Sequence, residues 1–147
     1  MADVRRSEGG FLLSKVHQLS GRVFNRLLRE HGIEFNSAQG RILFVLWKGD
    51  SIPITELADE TMLSKSTLTS MLDRLEEAGH IRRDQSPGDR RVILIHLTDE
   101  NKRLKNKYER VSREMTELFY EGFTWEEIKE FEGYLRRTLE NLKKHDL

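Results

Sequence analysis

Apolar residues recur at helical spacing through the first third of the chain. From about Gly10 to His31 they follow one another in steps of three and four residues, which is the spacing of a single helix face. These residues are Leu12, Val16, Leu19, Val23 and Leu27. Gly32 ends this helix, and Asn36 with Gln39 has the spacing of a capping box that begins a second one. The nearly continuous apolar run at 42–47 predicts that the second helix is buried on most sides.

The middle of the chain has the pattern of two helices joined by a short turn. A helix is predicted from about Ile54 to Thr61, and the pair Met62-Leu63 follows it. Ser64 can cap another helix, which reaches about Ala78 and stops at Gly79. The inward face of this helix consists of Leu68, Met71, Leu72 and Leu75. Two helices with this short connection are typical of a helix-turn-helix.

Alternating apolar positions then predict a β-hairpin. Its strands lie at about 81–84 and 91–97, and the turn between them contains Pro87 and Gly88. With the two helices described next, the order of elements over the whole chain is α-α-α-α-β-β-α-α.

The last third of the chain has two further amphipathic helices. Thr98 begins a long helix that runs to about Leu118, and Gly122 breaks the pattern. Thr124 and Glu127 have the spacing of a capping box for the final helix. The predicted fold class is mainly α with a small β-hairpin wing, a winged helix-turn-helix between N- and C-terminal helices.

Composition narrows the classes of function. Apolar residues make up 37% of the 147 residues and charged residues 34%, and so short and charged a chain often completes its core against a partner subunit. No apolar run approaches the ~18 residues of a membrane span, and no signal-peptide segment is present, so we expect a cytoplasmic protein with no membrane partner. The absence of cysteine excludes disulfides, thiolate metal sites and a thiol redox switch.

The net charge is zero, which by itself is poor evidence for a nucleic-acid partner. The distribution is uneven, because residues 1–48 carry 8 basic and 4 acidic side chains whereas residues 49–97 carry 6 and 9. A DNA-binding surface would therefore depend on a few cations that the fold places, not on a polybasic segment.

The start of the helix after Ser64 has the composition of a DNA-reading surface. Its outward side chains are short, polar or basic, and they allow close approach to base edges and phosphates. The candidate DNA-binding residues here are Lys65, Ser66, Thr67, Thr69, Ser70 and Arg74. Arg74 could reach a phosphate or could pair with Asp73 or Asp89. An ordinary solvated helix start would also have this composition.

The hairpin strengthens the DNA-binding interpretation. Strand alternation places Asp89 and Arg91 on one side and Arg90 on the other, so Asp89 can hold the Arg91 guanidinium in a fixed orientation. Asp89, Arg90 and Arg91 are therefore candidate DNA-binding residues of a wing. Solvated hairpin charges are the alternative.

Two stretches resemble the multiple antibiotic resistance regulator (MarR) family of winged-helix transcriptional regulators. Residues 68–83 are similar to its recognition helix and first wing strand, and residues 86–91 with 93–100 are similar to its wing, including Asp-x-Arg at 89 and 91. The resemblance covers essentially the whole chain. It implies a homodimer with N- and C-terminal dimerisation helices at 1–35 and 98–147, and a DNA-binding region at 36–97.

The same resemblance implies a transcriptional repressor that binds a pseudo-palindromic double-stranded operator and is released by a small aromatic or anionic effector. The family's ligand cleft lies beside the first two helices, so His17, Phe24, Arg41 and Trp47 are candidate ligand-binding residues. The alternative is that Phe24 and Trp47 are core residues and Arg41 is solvated. The five histidines lack metal-ligand spacing, and we expect no metal and no cofactor.

Two other classes of function compete with this interpretation. An enzyme would need a catalytic constellation, and the sequence has no nucleophile elbow, phosphate loop or cluster of His, Asp and Glu. A helical protein-interaction or structural domain without DNA binding would explain the helices, but it would not explain the Asp89-Arg90-Arg91 wing.

Overall fold

The computed structural model describes residues Asp3–Asp146 and has the predicted order of helices and hairpin. After a short 3₁₀ turn at Val4–Arg6, the helices are α1 (Gly9–Glu30), α2 (Ser37–Lys48), α3 (Ile54–Thr61), α4 (Lys65–Glu77), α5 (Asp99–Lys102), α6 (Lys105–Phe119) and α7 (Trp125–Lys143). The strands are β1 (Ile52–Pro53), β2 (Ile81–Ser86) and β3 (Asp89–Leu97). The predicted fold class is confirmed.

The helix ends are where the capping residues predict them. Asn36 and Gln39 form a reciprocal capping box at α2, and Thr124 and Glu127 form another at α7. Ser64 caps α4 by accepting a hydrogen bond from the backbone of Thr67. Local side-chain chemistry therefore fixes these three helix starts.

The chain divides into two compact units, Met1–Arg113 and Glu114–Leu147. The core of the first unit collects residues from α1, α2, α3, α4, the sheet and α6. Its fully buried side chains include Leu28, Ile42, Leu43, Leu46, Leu57, Leu68, Leu72, Leu75, Ile95 and Val111. The predicted inward face of α4 is confirmed, with Met71 half-buried at its edge. Burial of this face leaves the opposite face of the helix available.

The sheet has a third strand that the pattern does not predict. β1 pairs with β3 through Ile52 opposite Ile95, and the strand order is β1-β3-β2. A two-residue strand containing Pro53 is too short for periodicity to reveal, and only its pairing identifies it. The β2–β3 register is regular up to Gln85 opposite Ile93 and is interrupted beyond it, where Ser86 pairs with Asp89.

Three expectations about helices need correction. The long helix after Thr98 is interrupted, because Leu104 bonds to the carbonyl of Asn101 and separates α5 from α6. Helix α2 is less buried than predicted, since Phe44 is exposed. The α1 stripe is a core face only at its end, where Leu27 is buried, whereas Leu12, Val16 and Leu19 are exposed. Periodicity identifies an apolar face, but it does not identify what covers the face.

The second unit contains its own aromatic cluster, formed by Phe119, Tyr120, Phe123 and Phe131. Tyr120 donates a 2.6 Å hydrogen bond to Glu132, and its desolvation together with this bond raises the pKa of Tyr120 to about 12. Gly122 adopts a left-handed conformation with φ +84° between α6 and α7. Large apolar side chains remain exposed in this unit, including Leu118, Phe123, Trp125 and Leu142.

Between Asp3 and Asp146, no helix combines the length and the apolar composition that crossing a membrane requires.

Candidate nucleic-acid interface

The first two turns of α4 present a polar surface supported by a buried apolar face. Leu68 and Leu72 are buried, and this packing directs the opposite side chains outward. The exposed side chains of these turns are Lys65, Ser66, Thr67, Thr69 and Ser70. The structure thus brings together five of the candidate DNA-binding residues predicted from the sequence.

The hydroxyl groups on this surface differ in what they can offer a base edge. Thr69 donates its proton to the Lys65 carbonyl at 2.8 Å, so its oxygen can accept and its methyl group is available for an apolar contact. Ser64 donates to the Thr67 hydroxyl at 2.8 Å, which leaves the Thr67 proton available. The Ser70 hydroxyl makes no hydrogen bond within residues 3–146 and can both donate and accept.

The wing tip holds Arg91 against Asp89. Arg91 Nε and Nη2 each lie 3.1 Å from an oxygen of Asp89, and the Arg91 backbone N–H donates to Asp89 at 3.0 Å. The Arg91 side chain is 90% exposed, so the guanidinium is oriented and still accessible. Hydrogen bonds from the side chain and then the backbone of Arg91 lower the pKa of Asp89. The predicted pairing is present, although it sits in the irregular part of the hairpin.

Two further arginines are exposed and have no carboxylate partner within the described part of the chain. Arg90 lies beside Arg91 at the wing tip. Arg74 pairs with neither acid, since Asp73 lies 2.7 Å from Arg83 and Asp89 lies 3.1 Å from Arg91. Both arginines therefore keep the availability that a phosphate contact requires.

Comparison with known proteins bears on the same segment. The MarR family model matches residues 35–93, which extend from the start of α2 into β3. The regulator PecS of Dickeya dadantii is 32% identical over 136 residues, covering 90% of this chain and 78% of PecS. The regulator TtmR of Methylorubrum extorquens is 38% identical over 87 residues, covering 59% of this chain and only 44% of TtmR.

A solved structure of a mutant of MarR from E. coli, complexed with operator DNA, superposes with a TM-score of 0.81 at 26% identity and covers 88% of this chain and 92% of that one. The chain belongs to the MarR family. The expected family membership and the winged-helix fold are confirmed, and the named relatives are transcriptional regulators.

This MarR-family chain joins α4 to the wing through Arg83, which sequence reasoning missed. Arg83 Nη2 lies 2.7 Å from Asp73 and 2.8 Å from Glu76, and the Arg83 backbone N–H donates to Glu76 at 3.1 Å. The side-chain hydrogen bond lowers the pKa of Glu76 and raises that of Arg83. The two acids one turn apart on α4 were a signal, but only the fold shows which arginine they face.

A buried polar network holds the C-terminal end of α4 in place. Thr98 donates to the Gly79 carbonyl at 2.6 Å. Asn101, which is fully buried, accepts from the Trp47 indole at 2.9 Å and faces His80 Nδ1 at 2.9 Å. Burial lowers the pKa of His80, although Glu100 and Glu34 act in the opposite direction. His80 is therefore a core residue that joins α4 to α5 as well as a helix terminator.

The four ligand-binding candidates have different surroundings. Phe24 and Trp47 are half-buried and both pack on Tyr108, with ring centroids 5.8 and 4.7 Å away. His17 is exposed on α1, and Arg41 lines a groove with Phe44, Lys48, Glu56 and Glu60. Their shared role in effector binding stays a prediction.

Within residues 3–146, no three His, Asp or Glu side chains are placed to hold a metal ion.

Proposed function

We propose that this protein is a transcriptional regulator that binds a specific double-stranded DNA sequence. Two observations support the proposal: the exposed hydroxyl-rich start of α4, and a wing whose Arg91 is braced by Asp89. The first suits major-groove base edges, and the second suits a narrow minor groove. The wing is the observation on which the proposal mainly depends, because an ordinary helix start could also be rich in serine and threonine.

The working unit in this proposal is a homodimer on a pseudo-palindromic operator. Exposed apolar side chains on α1, such as Leu12 and Leu19, and in the second unit, such as Leu142, provide surfaces for a second copy. Two copies related by a two-fold axis place two recognition helices in successive major grooves. Repression is the expected mode, as it is for a relative named as a repressor, IacR of Pseudomonas putida.

We also propose how DNA binding is controlled and where in the cell the protein works. A small aromatic or anionic effector would release the DNA, and His17, Phe24, Arg41 and Trp47 are the residues proposed to meet it. A regulator that acts on DNA belongs in the cytoplasm, where we propose that this one works. In this role the chain catalyses no reaction.

The test is selection followed by salt titration. The full protein is used to select duplexes from a random pool, and the affinity for the enriched sequence is compared with that for a scrambled duplex of equal length. We expect strong discrimination and a steep fall of log affinity with log salt, because phosphate contacts release counterions even from a protein of zero net charge. Failure to enrich any sequence, together with a flat salt plot, would contradict the proposal.

A further inference from the structure

We propose that Arg83 is a positioning residue that fixes the wing relative to α4, so that the recognition helix and Arg91 can contact one DNA site at the same time. This inference rests on the DNA-binding function proposed above. It assigns Arg83 no contact with DNA.

The contacts of Arg83 are suited to fixing the angle between β2 and α4. Its Nη2 bonds to Asp73 and Glu76, at 2.7 and 2.8 Å, and these acids lie one turn apart on α4. The second oxygen of Glu76 accepts from the Arg83 backbone at 3.1 Å, so β2 is held by its main chain as well as its side chain. Charge-assisted hydrogen bonds are directional and short, unlike apolar packing, which permits small rotations.

Arg83 lies near the base of the hairpin, so its contacts affect the position of the wing tip. The chain passes from α4 to β2 through Gly79, whose φ is +84°, and this short connection is the point about which β2 could change its angle. Beyond Arg83, β2 leads through a short turn into the start of β3, which carries Asp89 and Arg91. A small change of angle at the base of the hairpin therefore displaces the guanidinium of Arg91 at its tip.

The environment of Arg83 argues against a role as a phosphate ligand. Its side chain is only 27% exposed, and two carboxylates already neutralise it. The neighbouring Arg82 provides a matched control, because it points to the opposite face of the same strand, is 62% exposed and pairs with Asp84 at 2.8 Å. The two arginines have the same charge and adjacent positions, and only Arg83 joins the strand to α4.

The test compares Arg83→Gln with Arg82→Gln in the full protein. Affinities are measured for the selected operator and for a scrambled duplex at one salt concentration, below the melting temperature of each variant. We expect Arg83→Gln to lower the ratio of the two affinities by roughly tenfold or more, since contacts that are slightly misplaced lose most of their value. Arg82→Gln should change this ratio by less than about twofold. An unchanged ratio in Arg83→Gln overturns the proposal, whatever happens to thermal stability.

A second variant tests the same role in case Arg83→Gln does not fold correctly. Glu76→Gln keeps the volume of the side chain and removes a negative charge from the DNA-binding helix. Simple electrostatics predicts tighter binding to every duplex, whereas the positioning role predicts a lower ratio of operator to scrambled affinity. Tighter binding with the ratio preserved overturns the proposal.

A double-mutant cycle identifies the wing as the part that Arg83 positions. Arg83→Gln should have little further effect on operator affinity in an Arg91→Ala background, because the contact to be positioned is already lost. Additive effects overturn the proposal, and so does an Arg91→Ala variant that binds like the parent. A parent protein that does not discriminate among duplexes contradicts the proposed function itself. A discriminating parent with an equally discriminating Arg83→Gln variant contradicts only the role of Arg83.

Discussion

At the residue scale, neighbouring side chains of one type differ sharply in what surrounds them. Arg90 and Arg91 are both exposed at the wing tip, but only Arg91 is held by a carboxylate. A braced arginine has less conformational freedom to lose on entering a groove, and an unbraced one suits the phosphate backbone. The two should therefore make different contributions to affinity and specificity.

Asp89→Ala should weaken operator binding, although it removes a negative charge. The reason is that Arg91 loses the partner that orients it. Arg90→Ala should instead weaken all duplexes about equally and lower the salt slope by about one unit. Binding isotherms at several salt concentrations measure both effects, with Asp84→Ala as the control for removing an acid from the hairpin. If Asp89→Ala binds the operator more tightly, the carboxylate is only a repulsive charge.

His80 should make the folded protein sensitive to acid. The Trp47 indole can only donate, so Asn101 must accept there and donate to His80 Nδ1, which has to remain unprotonated. Burial lowers the pKa of His80 below its ordinary value of 6.5, so the unfolded chain takes up the proton first as pH falls. The free energy of unfolding should therefore decrease as pH falls below about 6.5, by at most about 1.4 kcal/mol per pH unit for this proton.

Denaturant unfolding at several pH values checks this dependence. His80→Gln should be less stable at neutral pH and should lose part of the acid sensitivity, whereas His145→Gln, which changes an exposed histidine, should keep it. Equal pH slopes for the parent and His80→Gln would show that His80 does not titrate in this way.

At the element scale, the two faces of α4 have different roles. Its buried leucines anchor it in the core, and its exposed first turns present hydroxyl groups at positions that the packing fixes. Thr69 and Ser70 are adjacent on this surface and differ in hydrogen-bonding capacity, because only the Thr69 proton is bound within the helix. A substitution at either position removes a group from the surface without disturbing the core.

Thr69→Ala and Ser70→Ala should each change the preferred DNA sequence. The loss of a base contact should cost about 1–3 kcal/mol on the preferred site and less on others. Repeating the selection from random duplexes with each variant measures the change, and Glu77→Ala, at the far end of the same helix, is the control. Two variants that enrich the parental sequence with parental affinity would place base recognition elsewhere.

At the scale of the whole molecule, the exposed apolar side chains require an explanation. Phe11, Leu12 and Leu19 on α1 are each more than half exposed, and Trp125 and Leu142 in the second unit are 64% exposed. A large exposed apolar surface marks an interaction site in most proteins. The proposed homodimer would cover it with the same surfaces of a second copy.

Leu135→Asp combined with Leu139→Asp should unfold the protein or leave a monomer that does not bind the operator. Leu12→Asp with Leu19→Asp should act in the same direction, because buried charge at an apolar interface is strongly unfavourable. Sedimentation analysis and operator binding measure the outcome, with Gln18→Asp on another face of α1 as the control. A folded monomer with full operator affinity would disprove an obligate dimer.

Much of the local architecture follows from the sequence alone. Capping residues at 36, 64 and 124 fix helix starts through bonds within a single turn, and the inward leucines of α4 follow from helical period. The Asp89–Arg91 pair is equally local, since the two residues lie two positions apart. Signals of this kind are readable because the interacting groups are close together in the chain.

The tertiary structure decided the features that depend on distant partners. The pairing of β1 with β3, the bonds from Asn101 to Trp47 and His80, and the choice of Arg83 over Arg74 as the partner of Asp73 each join separate elements. Hydrophobic period likewise gave α1 an apolar face without revealing that most of it is left exposed. A one-dimensional pattern contains propensities and spacings, whereas burial and ion pairing depend on which surfaces the folded chain brings together.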